Sequence, residues 1–193
     1  MTSPTRRTVL KTFGMTIGAT CASISLPVSA ELFANDESKQ QIRLGVIADL
    51  HGGLAVDAEM RLDAFLKAMQ GIETDALVQL GDFAFPNQKH QAFADKFNSA
   101  HENTVHVIGN HEFDFKLSRE DCYRAWGIKS AYYRRDLGNL RLIVLDGNEI
   151  GSPTQKGYPS FIGNQQKVWL QEELKRADRP VLILSHQPLA GTG

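Results

Sequence analysis

Cysteine is nearly absent from this chain: two in 193 residues, Cys21 and Cys122. Cys21 falls in a stretch that reads as a removable leader, so the rest has one thiol and no intramolecular disulfide to form. Neither sign of charge is in excess. Twenty-one Lys and Arg stand against 22 Asp and Glu, a formal net charge of -1. Three of the cations, Arg6, Arg7 and Lys11, lie in residues 1–30, which hold no acid, so the remainder is more acidic still. A mildly acidic chain without a basic patch is a poor candidate for general nucleic-acid binding. Any anionic substrate must therefore be held locally. Long apolar runs are missing too: Thr12–Leu26 is short and rich in Thr, Ser and Gly, so no stable membrane span is expected after cleavage. Without internal repeats or low-complexity tracts, the composition suits one ordinary globular domain with an appendage.

The appendage is N-terminal. Thr5-Arg6-Arg7-Thr8-Val9-Leu10-Lys11 puts paired arginines before the weakly apolar stretch, and Pro27-Val28-Ser29-Ala30 offers small residues for cleavage. This is the layout of an export signal, and the paired arginines resemble a twin-arginine translocation signal. The expected organisation is a signal peptide over 1–30, a polar tether over 31–41 and a folded domain over 42–193. Export by the twin-arginine machinery implies a bacterial periplasmic or secreted protein.

Within the domain, apolar runs of strand length alternate with helical periodicity. Strands are predicted over Ile42–Ala48, Ala76–Leu80, Thr104–Ile108 and Val181–Leu184, with a hairpin of Tyr132–Leu137 and Leu140–Asp146 turning at Gly138-Asn139. Helices are predicted over Asp57–Gln70 (apolar at Met60, Leu62, Phe65, Leu66 and Met69), Asn87–Ala100 and Asn164–Ala177 (apolar at Val168, Leu170 and Leu174). A short helix capped by Ser118, with Asp121 three residues on, runs to Trp126. The order gives an α/β fold with a largely parallel core and an antiparallel portion.

Four of these strands run into residues that bind metals. The first leads to Asp49-Leu50-His51, the second to Gly81-Asp82, the third to Gly109-Asn110-His111-Glu112 and the last to Ser185-His186. Parallel strands aim their C-terminal ends at one crevice, where α/β proteins bind ligands. Carboxylate, imidazole and amide oxygen donors converging there suit a dinuclear centre. If the first strand stays extended, Asp49 and His51 project to one side and share a cation. Each piece alone is weak; the order of all four carries the reading. His90, His101 and His106 lack such a context and read as structural or solvated. Phe83, Phe85, Phe113 and Phe115 flank the motifs, and packing the core is the favoured reading over stacking a substrate.

From Arg43 to His186 these motifs resemble the calcineurin-like metallophosphoesterase family. The resemblance implies a β-sandwich flanked by helices, in four αββα layers, with two metals at the strand ends. It implies that Asp49 and His51 bind one metal, that Asp82 bridges both, and that Asn110 and His186 bind the other. His111 would be the leaving-group acid, and Glu112 its acidic partner, able to orient its ring. The implied reaction is hydrolysis of a small phosphomonoester or phosphodiester by a two-metal, metal-hydroxide mechanism. The ligands admit divalent or mixed-valence Mn, Fe, Zn or Co. Phe85, where purple acid phosphatases carry a tyrosine ligand, argues against a tyrosinate-bound ferric site.

The family's final Gly-His-x-His segment and closing strands do not occur up to Gly193. The expectation is therefore a fragment that binds metal weakly and is nearly inactive on its own, the complete gene product being the phosphoesterase. The alternative reading is a non-catalytic relative acting as a binding module. Replacing Arg6 and Arg7 by lysine is expected to block export. Fractionation and immunoblotting check this, and undiminished periplasmic protein from the double variant would refute it.

Overall fold

The structure, a computed structural model, describes residues 41–152 and 156–189. The expected leader, and the tether up to residue 40, lie outside the described residues. Strands β1 (Leu44–Ile47), β2 (Ala76–Gln79) and β3 (Thr104–His106) form one parallel sheet in that order. Helix α1 (Ala58–Met69) links β1 to β2, and α2 (Gln91–Ser99), after a 3-10 turn at Gln88–His90, links β2 to β3. A 3-10 segment at His111–Lys116 and helix α3 (Arg119–Trp126) follow. The second sheet is β4 (Tyr133–Leu137), β5 (Leu140–Val144) and β6 (Val181–Leu184), ordered β4-β5-β6. The hairpin β4–β5 is antiparallel, and β6 returns parallel to β5 after helix α4 (Asn164–Lys175). No described helix is long and apolar enough to cross a membrane.

Strand β2 shows why the layers stack. All four of its residues are buried, as in a strand covered on both faces. Leu77 points to a core shared with Leu62 and Leu66 of α1, Phe97 of α2 and Trp126 of α3. Ala76 and Val78 point the other way, to a core built with Val105, Leu142, Val144 and Leu184. One cluster therefore lies between helices and sheet, the other between the two sheets. Helix α4 closes the fourth layer by polar contacts. The Gln166 amide exchanges two 2.8 Å hydrogen bonds with the Asp146 backbone, and Glu173 pairs with Arg134 at 3.0 Å. The four-layer mixed α/β expectation holds.

Local signals in the sequence correspond unevenly to the elements that form. Ser118 caps α3 in a full capping box with Asp121, and Gly127 ends the helix in the left-handed conformation. Strand β6 has the predicted bounds, whereas β1 ends at Ile47 and β3 at His106, earlier than their apolar runs. Met60 is 67% exposed, Val168 60% and Leu174 43%, so these three do not face the core. The buried line of α1 is Ala58, Leu62 and Leu66, spaced by four; Met60, two residues away, lies on the opposite side. In α4 the buried positions are the hydrogen-bonded Gln166 and Glu173, which leaves Val168 outward.

His106 is a structural histidine at 1% exposure. It stacks on Trp126 with ring centroids 5.3 Å apart and planes at 16°. Gly81 N donates to Gln79 Oε1 at 2.7 Å, which turns the Gln79 Nε2 donor toward His106 Nδ1 at 3.2 Å. His106 Nε2 then donates to Asn98 Oδ1 at 2.8 Å. Both ring nitrogens are committed as in a neutral imidazole, and burial pushes the pKa from 6.5 down to about 3. Below pH 6.5 the unfolded chain takes up a proton at this residue that the folded chain refuses, so stability from His106 is lost as pH falls toward 3. From about pH 7 to pH 5, wild type should lose about 2 kcal/mol relative to His106→Gln, measured by urea unfolding. Parallel pH profiles for the two proteins would refute this.

Candidate metal centre

The chain leaves β1, β2, β3 and β6 at one end, and the exits are stitched together by backbone. Beyond β1, Asp49 N donates to Gly81 O at 3.1 Å, His51 N to Asp82 O at 2.8 Å and Gly52 N to Phe83 O at 2.8 Å. These bonds form although the strand does not stay extended. Asp49 (φ 53), His51 (φ 56) and Asp82 (φ 50) are left-handed, which corrects the expectation that β1 runs straight through its two donors. Asp and His tolerate this region better than most residues. Arg61 of α1 secures the coil by donating Nη2 to Leu50 O at 2.7 Å. Gly81 (φ +96) admits the neighbouring loop, since a Cβ there would come within 2.6 Å of His186 Nδ1.

Asp82 occupies the centre at 4% exposure. Its Oδ1 accepts from His111 N at 2.9 Å. Its Oδ2 lies 3.4 Å from His186 Nε2 and 4.0 Å from Nε2 of both His51 and His111. Burial opposes its charge, but hydrogen bonds from His186 and from the His111 N–H, with the charges of those rings, hold the carboxyl below its ordinary pKa.

Two donor triads share this residue: His51, Asp82 and His111, and Asp49, Asp82 and His186. Asn110 joins the second, with Oδ1 3.2 Å from His186 Nε2. Asp49 Oδ1 is also 4.0 Å from His51 Nε2, so it is within reach of either triad. The arrangement fits cations. His186 Nδ1 faces the Leu80 carbonyl at 2.9 Å and donates to it, which turns Nε2 toward Asp82 Oδ2 and Asn110 Oδ1, both acceptors. A proton or a metal ion must lie among them. Burial disfavours the His186 cation, yet the Asp82 contact outweighs it and raises the pKa. His51 Nδ1 is buried with no hydrogen-bond partner, and Gln187, absent from the sequence reading, donates to Asn110 Oδ1 at 2.8 Å.

Glu112 does not orient His111. At 1% exposure it points away from the ring and accepts three backbone N–H groups: Phe83 on Oε1 at 2.7 Å, and Asp82 (3.0 Å) and Gly109 (2.7 Å) on Oε2. Adjacent side chains on a tight turn diverge, so residue 112 cannot readily face residue 111. The carboxylate that meets His111 is Asp114, with Oδ2 2.8 Å from Nδ1. That contact, followed by weaker pulls from Asp82 and Glu112 against partial burial, raises the His111 pKa. An acidic residue three positions along a turn was the available signal for Asp114.

Burial, and next the Asp82 charge, push Glu112 up to about 7 against its three N–H donors. In Glu112→Gln one oxygen becomes an amide NH2 facing backbone donors. The expected loss is about 2 kcal/mol or more, read by urea unfolding with excess chelator so that metal binding does not contribute. A loss under about 0.5 kcal/mol would show that the brace is dispensable.

The family model for calcineurin-like phosphoesterases matches residues 42–193. Among solved structures, a dimetal phosphatase from Danio rerio aligns with a TM-score of 0.59 at 18% identity, over 77% of this chain and 70% of that one. The phosphopantetheinyl hydrolase of Mycobacterium tuberculosis aligns with a TM-score of 0.50 at 13% identity, over 77% of this chain and 69% of that one. A comparison with curated proteins finds no match. At these identities the structures speak for the fold alone, whereas the family model covers residues 42–193, which include the four strand-end motifs: the chain belongs to the calcineurin-like phosphoesterase family.

Proposed function

We propose that this protein is an exported phosphoesterase that hydrolyses a small phosphomonoester or phosphodiester at a two-metal centre. The observation that carries this reading is Asp82 Oδ2, shared by two donor triads and facing three imidazole nitrogens. Asp49, His51, Asp82, Asn110 and His186 would hold the pair, with Asp82 between them. When bound, the metals supply Lewis acidity at the phosphoryl group and an activated water. The oxygen and nitrogen donors suit Mn, Fe, Zn or Co. Export rests on residues 1–30, outside the described structure.

The chain's own part in the chemistry is proton delivery and alignment. Asp114 accepts from His111 Nδ1–H and fixes the ring, leaving Nε2 toward the Asp82 side of the centre. As the phosphorus–oxygen bond to the leaving group breaks, Nε2–H passes its proton to that oxygen, and Asp114 stabilises the charged ring beforehand. Glu112 acts as a positioning residue, because its three backbone bonds set the turns that carry Asp82 and Asn110. A binding module would have no use for the His111–Asp114 pair.

His111 also belongs to a donor triad, so its role is tested by leaving-group dependence. In the manganese-loaded full-length protein, His111→Gln should lower kcat on an alkyl phosphoester by about 10²–10³. It should act far less on a p-nitrophenyl ester, whose leaving oxygen needs no proton, and metal content by elemental analysis should be unchanged. Equal losses on both substrates together with lost metal would make His111 a ligand instead.

A further inference from the structure

Five non-glycine residues among those described hold a positive φ: Asp49, His51, Asp82, Phe115 and Lys116. Three are donors of the metal centre and of residue types that visit this region readily. Phe115 (φ 58, ψ 28) and Lys116 (φ 64) are neither, and two bulky left-handed residues in succession are strained. Burial of the ring does not account for the conformation, because Phe115 is 80% exposed.

What the strained turn achieves is placement. Phe115 follows Asp114 directly, and Asp114 holds the ring of His111. The Phe115 ring stands edge-on to Phe85, with centroids 5.2 Å apart and planes at 87°. Phe85 is 7% exposed, is flanked on another side by His90 at 5.6 Å, and lines the small cavity that also contains His51, Asp82 and His111. Leu54, 55% exposed, lines the same cavity. An exposed aromatic ring thus stands against Phe85, a buried ring that lines the cavity beside His51, Asp82 and His111. The other phenylalanines near the motifs are not available: Phe83 is in the core at 1% exposure, and Phe113 packs against that core beneath the Arg119 guanidinium.

We propose that Phe115, backed by Phe85, is a stacking platform for the leaving group, and that the substrate class is phosphoesters whose leaving group carries a planar aromatic ring. This inference rests on the phosphoesterase reading above. Phe115 would determine specificity and take no part in bond cleavage. An aryl alcohol and a nucleoside present the same flat face, and the substrates chosen below separate them.

The test uses the full-length, manganese-loaded protein and its Phe115→Ala and Phe115→Trp variants. Calorimetric titration with phenylphosphonate and methylphosphonate needs no turnover. Phe115→Ala should weaken phenylphosphonate about tenfold and leave methylphosphonate unchanged, and Phe115→Trp should restore the preference. The melting temperature of Phe115→Ala should not fall, since an exposed, strained ring contributes little to the core. In hydrolysis the KM for phenyl phosphate or adenosine monophosphate should rise and that for ethyl phosphate should not. Whichever aromatic ester loses more identifies the aryl or the nucleoside source. If methylphosphonate binds and ethyl phosphate is cleaved but the variant shows no aromatic-selective loss, the platform is wrong and the phosphoesterase reading stands. A drop in melting temperature with equal loss for both ligands makes Phe115 structural and overturns the platform. Absence of both phosphonate binding and hydrolysis in wild type overturns both readings.

Discussion

Three backbone N–H groups from two different loops end on one buried carboxylate, that of Glu112. This contact ties the exit of β2, which carries Asp82, to the exit of β3, which carries Asn110 and His111. It requires a close approach at Gly109, where any Cβ would collide with Asp82. The remaining exits hang on the same frame. The β1 loop continues its ladder onto Gly81, Asp82 and Phe83, and the β6 loop reaches back through His186 to Leu80. Four strands ending at one level do not by themselves bring donors within a few ångströms. The crossing hydrogen bonds do.

The centre that results is assembled mostly from acceptors. Asp82, Asp49, Asn110 Oδ1 and the Nε2 face of His186 converge with few protons among them. Such a grouping is unfavourable in an empty protein and favourable around cations, the opposite of a charge network that stabilises a fold. On the proposed reading it would also let a chain of almost neutral composition hold an anionic substrate without a basic patch. The positive charge would come from bound ions and would not have to be supplied by Lys or Arg.

The strand-end donors were legible in the sequence because parallel strands impose a direction, and a donor just past an apolar run has few other places to go. Asp49, His51, Asp82, Asn110, His111 and His186 do meet. The path by which they meet was not legible: an apolar run shows where a strand is buried but not where it stops, and β1 coils into left-handed turns that bring Asp49 within reach of His186 as well as His51. Adjacency misled for Glu112, since consecutive residues on a tight turn diverge, while Asp114, three along, comes round to His111. In the helices the apolar spacing fell short where hydrogen-bonded polar residues took the inward positions, as Gln166 and Glu173 do in α4.

Among the described residues, the left-handed non-glycine conformations fall in the region where the chemistry is proposed. The described non-glycine residues with positive φ are three donors and the two residues following the His111–Asp114 pair. Each such conformation costs on the order of 1–3 kcal/mol and persists only where its surroundings over-determine it. For the donors those surroundings are visible: Arg61 holds the β1 coil, and Glu112 holds the turn at Asp82. For Phe115 they are thinner, an edge-on ring and a short turn. A residue strained, exposed and lightly held contributes little to folding. Its place directly after the His111–Asp114 pair fits the stacking role proposed for its ring better than a role in packing.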